Sequence, residues 1–191
     1  ASMSMELSNQ KKLGEFYEEL KRLNINIIRP DINKCYADFS SDGKNFLYAL
    51  GAIKSVGFEA ISKIVEERTK NGEYKDLTDF INRINPKDIN KLQLEGLVKA
   101  GAFDSLNNNR QSIYNSIPNI ILKSKNIFEN NSANQIDLFK EENDVTYLNM
   151  IEDWNLDVKL SKEFETLGFF ISDHPLNQYR SLFNQYNIID Y

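Results

Sequence analysis

Cysteine and histidine are almost missing from this sequence: Cys35 and His174 are the only ones. A lone cysteine excludes an internal disulfide and fits a reducing, cytoplasmic setting. One of each leaves too few soft ligands for a protein-held zinc site. No apolar run has membrane-spanning length and no signal peptide is evident, so no membrane partner is expected. A surplus of positive charge is also lacking. The net charge is −5, residues 54–99 carry nine Lys and Arg against eight Asp and Glu, and residues 100–191 carry seven against thirteen. A nucleic-acid binder that relies on diffuse charge would be more basic, so any phosphate contact must come from a local device. The opening "ASMSMELSNQKKLGEF" runs straight into a helical pattern, as expected of a fragment of a longer polypeptide or of a tag remnant.

The hydrophobic share of 41% supports a real core. Leu13, Phe16, Tyr17, Leu20 and Leu23 recur at helical spacing. Pro30 imposes an extended path on Arg29. "YADF" and "NFLYAL" are β-prone runs around Asp42-Gly43, a hairpin turn signal, which predicts a small β-hairpin near residues 36–48. Beyond it the pattern is of short helices, so the predicted fold is mainly α.

Two stretches have the layout helix, tight turn, helix. In the first, Leu50 and Ile53 suggest a short helix, and after Gly57 the residues Ala60, Ile61, Ile64 and Val65 form a stripe that closes near Arg68, with Gly72 just beyond. Such a hairpin aims backbone N–H groups and a helix N-terminus at one phosphate. Lys54, Ser55, Val56 and Gly57 are the candidate contacts. The usual signature has a second glycine where this chain has Ser55, and the pattern alone also fits a plain helical hairpin. In the second stretch, Asp76 is placed to cap a helix carrying Leu77, Phe80, Ile81 and Ile84. Asn85-Pro86 opens a turn. Leu94, Leu97 and Val98 then form the next helix, with Gly101 as its left-handed stop. Lys87, Asn90 and Lys91 crowd this second turn as candidate DNA contacts, although two lysines can equally be solvated charges.

Further on, Ile113, Ile117, Ile120 and Ile121 are helical, with Pro118 expected to kink or break the helix and an Asn-rich, disordered exit. The polar stretch that follows contains "QIDLF", residues 135–139. An extended segment could lay Leu138 and Phe139 into an apolar pocket on a partner while Gln135 hydrogen-bonds nearby; the alternative is that the pair packs onto its own domain. Trp154, Leu156, Leu160, Phe164 and Leu167 read as core. His174 precedes Pro175 at a helix start, which makes a helix cap a better reading than a catalytic base. The acidic groups lack the paired-metal arrangement and phosphate cradle that nucleotidyl transfer needs.

The blocks "PDIN", "YALGAIKSVGFEAISKIVEER", "LTDFINRI", "NKLQLEGLVKAGAFD", "QIDLF" and "ETLGFFISDHPLNQYR" occur in the order seen in the bacterial C-family replicative DNA polymerases, the alpha subunits of the DNA polymerase III type. The sequence resembles that family over nearly its whole length. The resemblance implies a tandem helix-hairpin-helix domain at 46–125, the end of the fingers domain at 1–45, a clamp-binding loop at 126–150, and helices at 151–191 that lead to an OB domain outside this chain. It implies two partners besides other replicase subunits: double-stranded DNA, held by its backbone, and the β sliding clamp, held by Gln135, Asp137, Leu138 and Phe139. The Leu138–Phe139 pair alone should bind weakly, on the order of micromolar or looser, with Glu141, Glu142 and Asp144 keeping the loop in solvent. The family's metal-binding acids, which hold Mg2+, belong to a palm domain outside this chain. No catalytic residue, metal or cofactor is therefore expected here. The competing expectation is a helix-hairpin-helix accessory module of a DNA-repair or nuclease protein, with "QIDLF" incidental.

Overall fold

The computed structural model describes residues 3–132 and 147–186. After a 3-10 turn at Met3–Glu6, α1 (Gln10–Arg22) starts at Asn9, whose side chain accepts from the Lys12 N–H. Leu13 and Tyr17 are buried and Phe16 and Leu20 pack against the core, but Leu23 lies past the helix end and is mostly exposed. Three short strands follow: β1 (Asn26–Ile28), β2 (Ser40–Ser41) and β3 (Asn45–Leu47). The hairpin β2–β3 is the one expected from Asp42-Gly43; the Asp42 carboxylate accepts from the N–H groups of Lys44 (2.9 Å) and Asn45 (2.7 Å). It is narrower than the 36–48 span, because Tyr36 makes only an isolated bridge to Ala49. β1 pairs parallel with the other edge of β3 and was not legible beforehand, since "NII" alone carries no period.

The helical body packs on this sheet. A 3-10 helix at Leu50–Ala52 leads through a turn into α2 (Phe58–Asn71), then α3 (Leu77–Arg83), α4 (Lys91–Lys99) and α5 (Arg110–Ser132). Asp76 caps α3 as expected, and Gly101 takes a positive φ just past α4. Tyr74, Phe80 and Phe103 meet edge-on at 5.0 Å, a geometry in which ring edges face the negative faces of their neighbours. Arg68 of α2 is buried because its guanidinium donates to the carbonyls of Ile32 and Cys35 and lies over the Tyr36 ring. Burial pushes the Cys35 thiol up to about 11, so it is an inert core group.

α5 differs from expectation. It runs unbroken through Pro118, and residues 126–132, expected in the loop, form its last turns. Packing along the helix offsets the hydrogen bond that proline cannot donate: Ile113, Ile117 and Ile120 are buried, and Ser112 and Ser116 hold the returning chain, with Ser112 Oγ donating to the Asn149 carbonyl (2.6 Å) and Asn149 N–H to Ser116 Oγ (2.7 Å). On that returning chain the Tyr147 hydroxyl pairs with Thr78 of α3 at 2.8 Å. It leads to α6 (Leu156–Leu167), a 3-10 helix at Pro175–Tyr179, and α7 (Arg180–Gln185). On α6, Leu160 and Leu167 are core, but Leu156 and Phe164 are about half exposed. The surprise there is Glu163, which is 1% exposed. One oxygen lies 3.5 Å from Arg110 Nη1; the other accepts from the N–H groups of Ile171 (3.2 Å) and Ser172 (3.0 Å) and from Ser172 Oγ (2.9 Å). Arg110 also makes a two-pronged pair with Asp104 (2.8 and 2.6 Å). Among the described residues no helix is long and apolar enough to cross a membrane.

One buried and one half-buried carboxylate give expected outcomes. Glu163→Ala would strand the Ile171 and Ser172 N–H groups and weaken the compensation of Arg110, lowering the unfolding free energy by about 3 kcal/mol in denaturant titration. Glu67 of α2 pairs with Arg83 of α3 (2.7 Å). Burial raises the Glu67 carboxyl, but hydrogen bonds from Arg83, Asn71 and Tyr74 and the charge of Arg83 outweigh it and hold the group below its ordinary value. A carboxylate with a depressed folded value stabilises above its unfolded pKa of about 4.3, and that contribution is lost as pH falls through the folded value. The melting temperature should therefore fall as the solution is acidified below about pH 4, and Glu67→Gln should flatten part of that fall while lowering the melting temperature at neutral pH.

Candidate nucleic-acid interface

The turn from Ile53 to Gly57 reverses the chain between the Leu50–Ala52 helix and α2. The Val56 N–H donates to the Ile53 carbonyl at 3.1 Å. Ser55, where the signature has glycine, keeps the left-handed conformation at φ +67°, at a cost of roughly 1–2 kcal/mol for a residue with a Cβ. Gly57 stands at φ +79°, ψ 153°, a region that is essentially glycine-only. Nothing lies within 4 Å of where a Cβ on Gly57 would stand, so its backbone is itself the surface.

Gly57 caps α2 without a side chain. By contrast, Asn9, Asp76, Asn90 and Asn155 cap α1, α3, α4 and α6 with theirs. The first N–H groups of an α-helix have no partner within the helix. At α2 no side chain caps them, and Gly57, Phe58 and Glu59 are exposed at the positive end of the helix dipole, an arrangement suited to an anion. Glu59 in the first turn opposes part of that pull. Lys54 and Ser55 are exposed beside the turn, while Val56 is 1% exposed and belongs to the core. The Val56 N–H and carbonyl are both engaged, which removes it from the candidate contacts.

The second turn is built differently. Asn85 accepts from the Lys87 N–H (3.0 Å) and closes a tight turn at 86–88, but α4 does not start until Lys91. Its cap is Asn90: the side chain accepts from the Gln93 N–H (3.0 Å), and Gln93 Oε1 accepts from the Asn90 N–H (2.8 Å). This reciprocal box consumes donors that a phosphate would need, so Asn90 closes its own helix end instead of offering it. Lys87 and Lys91 remain exposed, Lys87 with its ammonium 5.5 Å from the Phe128 ring centre and Lys91 3.7 Å from Glu95.

The two turns are joined. Gln93 Nε2 donates to the Val56 carbonyl at 2.7 Å, placing the first turn of α4 against the start of α2. Farther along α4, a Cβ on Gly96 would come within 2.9 Å of Val56 Cγ2 and 3.0 Å of the Lys54 carbonyl oxygen. Only glycine lets the helix lie this close to the turn. The Lys54 N–H donates to the Thr166 carbonyl at the end of α6, which holds the turn from its other side. Gln93 and Gly96 escaped the sequence reading. The capping-box spacing Asn90 to Gln93 could have signalled the first; nothing local signals the second.

The remaining candidates are simply placed. His174 caps the 3-10 helix at Pro175–Tyr179, with Nδ1 accepting from the Leu176 N–H at 3.2 Å, as its position before proline predicts. Among the described residues no three His, Cys, Asp or Glu side chains gather as metal ligands. Gln135, Asp137, Leu138 and Phe139 lie outside the described residues.

A helix-hairpin-helix motif family matches residues 24–113, the span that holds both turns. Curated relatives match over nearly the whole chain. The DNA polymerase III subunit alpha of Caulobacter vibrioides is 38% identical over 178 residues, covering 92% of this chain and 16% of the relative. Those of Campylobacter jejuni and Borreliella burgdorferi are 36% and 32% identical, covering all of this chain and 16% and 17% of the relatives. The chain thus spans about one sixth of the length of these relatives. With its helix-hairpin-helix turns and this similarity, it belongs to the DNA polymerase III alpha subunit family, as the counterpart of one segment of those subunits.

Proposed function

We propose that this segment holds duplex DNA by its backbone and tethers a replicative polymerase to the β sliding clamp, without carrying out nucleotidyl transfer itself. The observation that carries the DNA part is the uncapped N-terminus of α2 at Gly57, braced by α4, within the span matched by the helix-hairpin-helix family. Backbone N–H groups recognise phosphate whatever the base sequence, and a polymerase that advances along its template needs contacts of that kind. Local donors also reconcile a net charge of −5 with a polyanionic partner. The first turn is the stronger grip. At the second, Lys87 and Lys91 act as point charges, because the helix end is closed by Asn90 and Gln93.

The clamp part rests on Gln135, Asp137, Leu138 and Phe139 and on the similarity to polymerase alpha subunits. Two weak sites on one chain, one for DNA and one for a ring around the same DNA, each raise the effective concentration of the other. Nucleotide chemistry, its Mg2+ and the contacts to other replicase subunits in the bacterial cytoplasm are assigned to the remaining length of the parent chain.

Fluorescence anisotropy with a labelled duplex at low salt tests the DNA part. Gly57→Val forces a side chain into a glycine-only conformation and should lower affinity at least about tenfold. Gly72→Val provides the control, since Gly72 has a similar positive φ and open space at the other end of α2; equal losses for both would overturn the assignment. Lys54→Ala should reduce the salt dependence by about one phosphate contact.

Calorimetric titration with the purified β clamp tests the tether. Binding on the order of micromolar or weaker is expected, and Leu138→Ala with Phe139→Ala should abolish it. A flat trace with the native protein would favour the accessory-module reading.

A further inference from the structure

β1 is an edge strand. The sheet order is β1–β3–β2, so one side of Asn26–Ile28 carries no neighbouring strand. The Tyr48 N–H donates to the Ile28 carbonyl at 3.1 Å, which turns Ile28 toward β3. Successive residues of a strand send their N–H and carbonyl groups to opposite edges. Those of Ile27 therefore face the open side, where no strand meets them. Ile27, Ile28, Arg29 and Pro30 line one cleft with Lys34, and its other residues come from the end of α4 and the Arg110–Glu163 pair. The cleft holds about 360 Å3, enough for the side chains of a short segment and too little for a folded element.

The charge in this cleft is unbalanced once internal partners are counted. Three acids line it, and all three are engaged. Asp31 Oδ1 accepts from the N–H groups of Asn33 (2.8 Å) and Lys34 (3.2 Å). Asp104 pairs with Arg110, and Glu163 with Arg110 and the Ile171–Ser172 backbone. Arg29 and Lys34 are exposed, and among the described residues neither has an ion-pair partner. What remains is a pair of uncompensated cations beside an open strand edge.

We propose that this cleft takes a short, extended, acidic peptide from a separate protein, which adds a strand to β1 and sets a carboxylate at Arg29 and Lys34. The site is independent of the DNA and clamp contacts proposed above. Strand addition draws affinity from main-chain hydrogen bonds and specificity from the alternate side chains of the added strand. Other occupants fit less well. A second copy would bring its own Arg29 and Lys34 to the same edge, where like charges repel. DNA would set its phosphates against Asp31, Asp104 and Glu163 in the same cleft. The edge is three residues long and Pro30 follows it closely, so only a few hydrogen bonds can form. Such a contact is weak and reversible, which suits a partner that comes and goes rather than a fixed part of one polypeptide.

The test follows the backbone amide signals of the whole 191-residue protein by nuclear magnetic resonance while a short peptide alternating valine and glutamate is added. Binding with a dissociation constant on the order of 0.1–1 mM is expected, with the Ile27 amide signal shifted and its hydrogen exchange slowed. Arg29→Glu combined with Lys34→Glu, both at exposed side chains, should weaken binding about tenfold. Lys63→Glu, on the exposed face of α2, should leave it unchanged. Neither a peptide alternating valine and lysine nor the glutamate peptide N-methylated at every residue should bind, because the first lacks the charge and the second the strand donors. If the N-methylated peptide binds as well as the unmodified one, strand addition is overturned. If the lysine peptide matches the glutamate peptide, or the double charge reversal changes nothing, the acidic partner is overturned. Binding that leaves the Ile27 amide unmoved, or no binding at millimolar peptide, overturns the proposal outright.

Discussion

Gly96 lets α4 lie directly on the Lys54–Val56 turn, and Gln93 completes the contact with one hydrogen bond to the Val56 carbonyl. Everything proposed for the interface depends on that close seating. A five-residue turn with two left-handed residues is an unfavourable thing to hold in one conformation, because Ser55 is strained and Gly57 has the most backbone freedom to lose. Packing against a helix over-determines it. The Lys54 N–H, bonded to the end of α6, pins the same turn from a second direction. A grip made of backbone N–H groups works only if those groups are already aimed, since ordering them at binding would consume the affinity they provide.

The same logic accounts for where charge is buried. Arg110 and Glu163 link the start of α5 to α6 and to the Ile171–Ser172 backbone, and Arg68 ties α2 to the Ile32–Cys35 loop. Each polar group has partners, so its desolvation is offset, and each joins elements distant in sequence. The α6 end of this network is also the end that braces the first turn. Rigidity at the interface and ion pairing in the interior belong to one connected structure.

The proposed DNA contact is compatible with an acidic chain because it is local. Coulomb attraction from net charge acts over about a Debye length and is screened, whereas a phosphate seated on a helix N-terminus meets oriented dipoles within hydrogen-bond distance. Weak, sequence-blind attachment would suit the proposed role, in which contacts release and re-form as the duplex moves past.

Local patterns in the sequence determined the helices, the Asp42-Gly43 hairpin, the capping role of Asp76 and His174, and the tight turn ending at Gly57. Each of these is decided by neighbours a few residues apart, through side-chain period, steric freedom or a single hydrogen bond. Tertiary structure alone decided that α5 passes through Pro118, that Glu163 is buried while Phe164 on the same helix is half exposed, and that β1 joins the sheet. It also decided that Val56 is core and that the two turns meet. Contacts such as Gln93 to Val56 join residues 37 apart, and no periodicity records which distant surface a residue will meet, because that depends on the packing of every element between them.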